Sequence, residues 1–186
     1  NMVSAFFSRG VDSTEIFSKL KIAESTGYKK HLNTHDVIRI DFSRMPRNCN
    51  SYDKYIERIE RILIQDLMEA YPKADIQEED AVWDSLDLVY ERYGCQRFIF
   101  VFDEWDCIFH KDFITDEDKK KYISFLSSLL KDKAYVLLSY MSGILPIAKY
   151  SSGSELNMFA EYTMVSEEKF SDAFGFTETE VDMLYA

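Results

Sequence analysis

Phe98-Ile99-Phe100-Val101-Phe102 is an unbroken apolar run, and it ends at once in Asp103-Glu104-Trp105-Asp106. A short run of aromatic and β-branched residues fits a strand covered on both faces, as in a parallel sheet. Acids placed just past its end would stand at the carboxyl edge of that sheet, where open α/β folds bind their ligands. The same acids could instead cap the helix that follows, and the run alone does not choose between the two.

The neighbouring segments do constrain the fold. Val37-Ile38-Arg39-Ile40-Asp41-Phe42 predicts a second strand, bounded by Met45-Pro46-Arg47-Asn48, and Tyr135 to Met141 predicts a third. Between the first two, Tyr52, Tyr55, Ile56, Ile59, Ile62, Leu63, Leu67 and Tyr71 form a helical stripe, capped by Asn50 or Ser51 and stopped by Pro72. Glu57 and Arg61 are spaced as an i,i+4 ion pair on its outer face. A shorter helix follows through Val82, Ser85, Leu86, Val89 and Tyr93, with Gly94 as its stop. Thr115-Asp116-Glu117-Asp118 opens another, whose buried face is Tyr122, Ile123, Leu126, Leu129 and Leu130. Three strands separated by helices long enough for crossovers give right-handed β-α-β units and an α/β fold with a mainly parallel sheet.

The flanks are less regular. Met2, Val3, Phe6 and Phe7 share one helical face ending near Gly10, and residues 13–23 offer a second short amphipathic piece. Tyr28 to His35 reads as a basic loop. Pro146 suits the first turn of a short helix, residues 151–154 a turn, and Glu161 to Val165 a short last strand. Two small helices close the chain, the second announced by Thr177-x-x-Glu180. The opening at Asn1, already inside a helical pattern, points to a fragment of a longer parent.

Composition narrows the function. A net charge of −11 argues against a non-specific nucleic-acid surface, which needs clustered Lys and Arg. Cys49, Cys95 and Cys107 have no C-x-x-C spacing, so neither a disulfide framework nor a cysteine zinc site is expected, and a reducing cytoplasm fits best. No apolar run approaches the ~18–20 residues that span a bilayer.

Two strand ends carry groups suited to one active site: Asp103-Glu104 on one and Ser142 on another. In a nucleotide hydrolase the first carboxylate of such a pair supports magnesium and the second polarises an attacking water. A hydroxyl at the neighbouring strand end is where a γ-phosphate sensor would stand. Rival assignments exist. Asp106 and Asp112, with Lys111 nearby, could form an acidic metal site for phosphodiester cleavage. His31, Asn33, His35 and Asp36 could be drawn as metal ligands, although surface histidines explain them as well. No G-x-S-x-G occurs. The phosphate-cradling stretch G-x-x-x-x-G-K-[ST] is also absent, the glycines at 10, 27, 94, 143, 153 and 175 being scattered.

Four segments in order, Phe98 to Asp106, Tyr140-Met-Ser-Gly-Ile-Leu-Pro-Ile147, Leu156 to Met164 and Phe174 to Val181, resemble the bacterial AAA-ATPase-like family. Members often carry a restriction-endonuclease-like nuclease domain at the C-terminus. Asn1 to Phe7 is similar to the helix that directly follows the family's P-loop. The resemblance implies a P-loop NTPase-like three-layer αβα sandwich lacking its first strand and P-loop. Residues 1–165 would be the truncated core and 166–186 the start of a C-terminal helical region. It further implies that Asp103 supports Mg, through water, that Glu104 activates water, and that Ser142 stands where members commonly have threonine. ATP and Mg would then bind the intact parent and not this fragment. Nucleic acid would be met only through a nuclease domain. The missing strand would leave exposed sheet edges, which favour self-association. The alternative is a non-catalytic interaction module on a degenerate P-loop fold.

Overall fold

In the computed structural model, residues 1–147, 155–163 and 178–185 are described. Three parallel strands form one sheet in the order β1-β2-β3: β1 (Asp36–Asp41), β2 (Phe98–Asp103) and β3 (Val136–Met141). All five apolar residues of β2 are buried, as expected of a central strand flanked on both sides. The register sets Asp41 opposite Asp103, so the carboxyl ends of β1 and β2 are level. An irregularity near Phe98/Ile99 shifts β3, which pairs Phe102 with Met141 and brings Ser142 to the same edge.

Successive side chains on a strand face opposite sides. On one side Phe98, Phe100 and Phe102 join a core with α4 (Tyr52–Ala70), α5 (Val82–Arg92) and α6 (Asp116–Leu130). Edge-to-face packing ties Phe42 to Phe102 and to Tyr122, and Tyr71 to Phe98. On the other side α1 (Met2–Phe7) packs along β1 and β2, consistent with an αβα sandwich. Two of these helices, α4 and α6, have the expected start: Ser51 accepts from the Lys54 amide, and Thr115 and Asp118 form a reciprocal capping box. Along α4, Ile64 is buried and Ile62 is exposed, and Glu57 and Arg61 do not come within ion-pair distance.

The segment before β1 departs from expectation. Residues 13–23 do not form one amphipathic piece but split into α2 (Thr14–Phe17) and a 3-10 turn (Lys21–Glu24), leaving Ile16, Leu20 and Ile22 exposed. The reason is tertiary. Phe17 is drawn against Phe6, and Asn33 binds the Ala5 and Ser8 carbonyls at 2.9 and 3.0 Å and the Ser13 amide at 3.0 Å. Tyr28 to His31, expected as loop, forms the one-turn helix α3. Glu161 to Thr163 are irregular, so the strand expected over 161–165 is not formed in its described part. The helix after Pro146 and the turn at 151–154 fall mostly or wholly outside the described residues, as does the first of the two closing helices. The second is present as α7 (Glu178–Tyr185), which buries none of its residues. Among the described residues no helix is long and apolar enough to cross a membrane.

Candidate active site at the carboxyl edge of the sheet

Parallel pairing of β2 and β3 brings Asp103 and Ser142 together. The Ser142 hydroxyl donates to Asp103 Oδ1 at 2.7 Å. Its amide donates to the Phe102 carbonyl at 2.9 Å, continuing the ladder one residue past β3. The other oxygen of Asp103 faces two further groups. Arg39 of β1 lies 3.8 Å from Oδ2, and the Asn1 side-chain amide donates to it at 3.4 Å. Since Asn1 also caps α1 by accepting from the Val3 amide, the start of that helix is fixed beside Asp103. Both Asp103 and Arg39 remain about one-third exposed, so this long ion pair adds little to stability.

Glu104 adopts φ +54°. A left-handed backbone costs an L-residue roughly 1–2 kcal/mol, and such strain persists where the surrounding structure enforces it, often at functional sites. Enforcement is visible. The Trp105 amide donates to the Ser142 carbonyl at 3.1 Å, and the Trp105 carbonyl accepts from the buried Tyr122 hydroxyl at 2.7 Å. The turn leaves the Glu104 side chain exposed, with no hydrogen-bond or ion-pair partner among the described residues. Asp103, Glu104 and Ser142, singled out from sequence, therefore share one edge. A carboxylate and a hydroxyl in contact offer hard oxygen donors, and a free carboxylate beside them can accept a proton from water.

The rival sites do not assemble. Asp106 is buried and directed at backbone amides, whereas Asp112 is exposed. Among the described residues no three His, Cys, Asp or Glu side chains gather to hold a metal. His31 and His35 stack instead, with Nδ1 and Nε2 2.9 Å apart. Burial, and then the neighbouring His31, lowers the pKa of His35 below the usual histidine range. At β1's end, the Ser43 hydroxyl donates to Asp41 at 2.6 Å and holds its pKa down, so this acid is turned into its own loop. Cys49, Cys95 and Cys107 are all free.

Sequence reasoning missed Arg39 and Asn1 at this site. Arg39 precedes Asp41 by two residues and so shares its face, a signal usable only once the register with β2 is known. Asn1 had no signal beyond its suitability as a cap.

The family model described as Predicted AAA-ATPase matches residues 1–152, which includes α1, all three strands and the Asp103-Glu104-Ser142 edge. No curated protein and no solved structure matches the chain. With most of its length covered by that model, the chain belongs to the AAA-ATPase-like family.

Proposed function

We propose that this chain carries the water-activating half of an ATP-hydrolysing site, and that a longer parent supplies the phosphate loop. The observation that carries the proposal is convergence at Asp103: Ser142 from the adjacent strand end, Glu104 from the following turn, and the start of α1 all meet there. A phosphate loop leading into α1 would deliver its backbone amides to this edge.

The residues fit magnesium in a specific sense. One carboxylate with a neighbouring hydroxyl is too few ligands for an all-protein cage, but magnesium commonly keeps its waters and uses one or two carboxylates plus substrate phosphates. When bound, the ion would neutralise charge on the transferred phosphoryl group. Asp103 would hold it through water. Ser142 orients Asp103 and would sense the terminal phosphate. Glu104, held outward by its left-handed backbone, would orient and deprotonate the attacking water.

Among the described residues β3 pairs only with β2, and this supports the same proposal. Leu137, Leu138 and Tyr140 of β3 are 44%, 44% and 41% exposed. An edge strand presents unpaired N–H and C=O groups that template further pairing, so a further strand of the parent, or failing that a second copy of the chain, would fit beside β3. Residues 1–165 would form the truncated core, with 166–186 opening a helical region, in a cytoplasmic protein.

Calorimetric titration of ATP and magnesium into this chain should give no binding in the micromolar range. Micromolar binding would overturn the division of the site between the chain and a separate phosphate loop. Magnesium-dependent cleavage of DNA by the chain would favour an acidic nuclease site instead.

A further inference from the structure

Asp106 is 1% exposed, and its environment is unusual for a carboxylate. Oδ2 accepts from the Ile144 amide at 3.0 Å and from the Leu145 amide at 2.7 Å. These are the backbone donors immediately beyond Ser142 and Gly143. Nearby, Trp105 donates its amide to the Ser142 carbonyl, and its ring is buried at 2% exposure. Gly143 lies so close that a Cβ there would meet the Trp105 ring at 2.4 Å and Asp106 Oδ1 at 2.5 Å. A buried polar group is tolerated only when hydrogen bonds replace its water, and here those bonds come from the turn that bears Ser142.

We propose that Asp106 is a positioning residue that clasps the Ser142 turn to the Glu104 turn, so that the phosphate-sensing hydroxyl and the water-activating carboxylate move as one unit. This rests on the hydrolytic role proposed above. Asp106 touches no reacting atom. It fixes the 142–145 backbone by its side chain while Trp105 fixes it by a main-chain bond, and Gly143 is the residue that allows both to approach. Ser142 is thereby held at 2.7 Å from Asp103, and Glu104, two residues before Asp106, is referred to the same anchor.

The substitutions separate the parts of the clasp. Asp106→Asn retains an oxygen that can accept both amides, with its NH2 facing Gly143. Asp106→Ala removes the acceptor. Gly143→Ala keeps the acceptor but forces the turns apart. In this chain, amide hydrogen exchange followed by NMR should accelerate at Ile144 and Leu145 by roughly 10- to 100-fold in Asp106→Ala and Gly143→Ala. Exchange at Phe100 in β2 should not change, and Asp106→Asn should stay within about threefold of wild type. Unchanged exchange at Ile144 and Leu145 in either disruptive variant would overturn the clasp, as would equal acceleration throughout the chain. If Asp106→Ala does not fold, the contrast between Asp106→Asn and Gly143→Ala decides.

In a longer chain carrying the proposed phosphate loop, both disruptive variants should lower kcat by roughly 10- to 100-fold with KM for ATP nearly unchanged, and Asp106→Asn should rescue. A kcat equal to wild type in the disruptive variants would overturn the positioning role. A wild-type parent that never hydrolyses ATP would overturn the hydrolytic proposal instead, while the exchange measurements still judge the clasp.

Discussion

Replacing Tyr122 by Phe removes one oxygen atom from the wholly buried interior and leaves the ring contacts with Phe42 and Phe109 in place. That oxygen carries the hydrogen that satisfies the Trp105 carbonyl at 2.7 Å. Without it the carbonyl is left without this donor in a site enclosed by Trp105 and Tyr122, both almost fully buried. A buried polar group without a partner costs about 1–3 kcal/mol, more than the ~1 kcal/mol net worth of an ordinary hydrogen bond. Taking about 2 kcal/mol, a domain of this size should lose roughly 4–8 °C in Tm. In urea, with a slope near 2 kcal/mol/M, the midpoint should fall by about 1 M while the slope stays constant. Urea unfolding followed by both circular dichroism and tryptophan fluorescence measures this, and Tyr185→Phe, at a strongly exposed position, is the control that should not move. A midpoint equal to wild type for Tyr122→Phe would refute the claim that this hydroxyl secures the turn behind Glu104.

The other consequences concern strain and ionisation. Glu104→Asn, which suits a left-handed backbone better, should raise stability by about 0.5–1 kcal/mol, since Asn is among the few residues that visit that region readily; a thermal melt below wild type would argue against strain at this position. Burial raises the phenol pKa of Tyr55, Tyr122 and Tyr135 above its ordinary value near 10. The stability from keeping these phenols protonated is fully present below pH ~10 and is lost as pH rises through their raised values. Part of the tyrosine absorbance change on alkaline titration should therefore coincide with loss of near-ultraviolet circular dichroism. Complete titration of all twelve tyrosines with the fold intact would contradict that.

The strands and main helices were legible because their signals are local. Phe98 to Phe102 could hardly be anything but a covered strand, and the Thr115 and Asp118 box marks its own helix. Asp103, Glu104 and Ser142 were legible for the same reason, each lying just past an apolar run. The 11–35 segment was not, because its path is set by Asn33 binding Ala5, Ser8 and Ser13 across long sequence separations. Asp106 was ambiguous in sequence between metal ligand and helix cap. Its actual partners, the Ile144 and Leu145 amides, become neighbours only through the parallel register of β2 and β3. Gly143 likewise appears as one more scattered glycine until Trp105 is seen packed where its Cβ would be.

The most direct test of the hydrolytic proposal is a paired measurement on a longer chain carrying the proposed phosphate loop, wild type against Glu104→Gln, of ATP binding by calorimetry and of turnover by phosphate release. The glutamine keeps the size of the side chain and removes the charge that would activate water. Binding should be preserved and turnover should fall by at least about a hundredfold, the lower end of what a positioned general base contributes. Turnover equal to wild type would contradict the assignment of Glu104, and with it the proposal that this strand end is where water is activated.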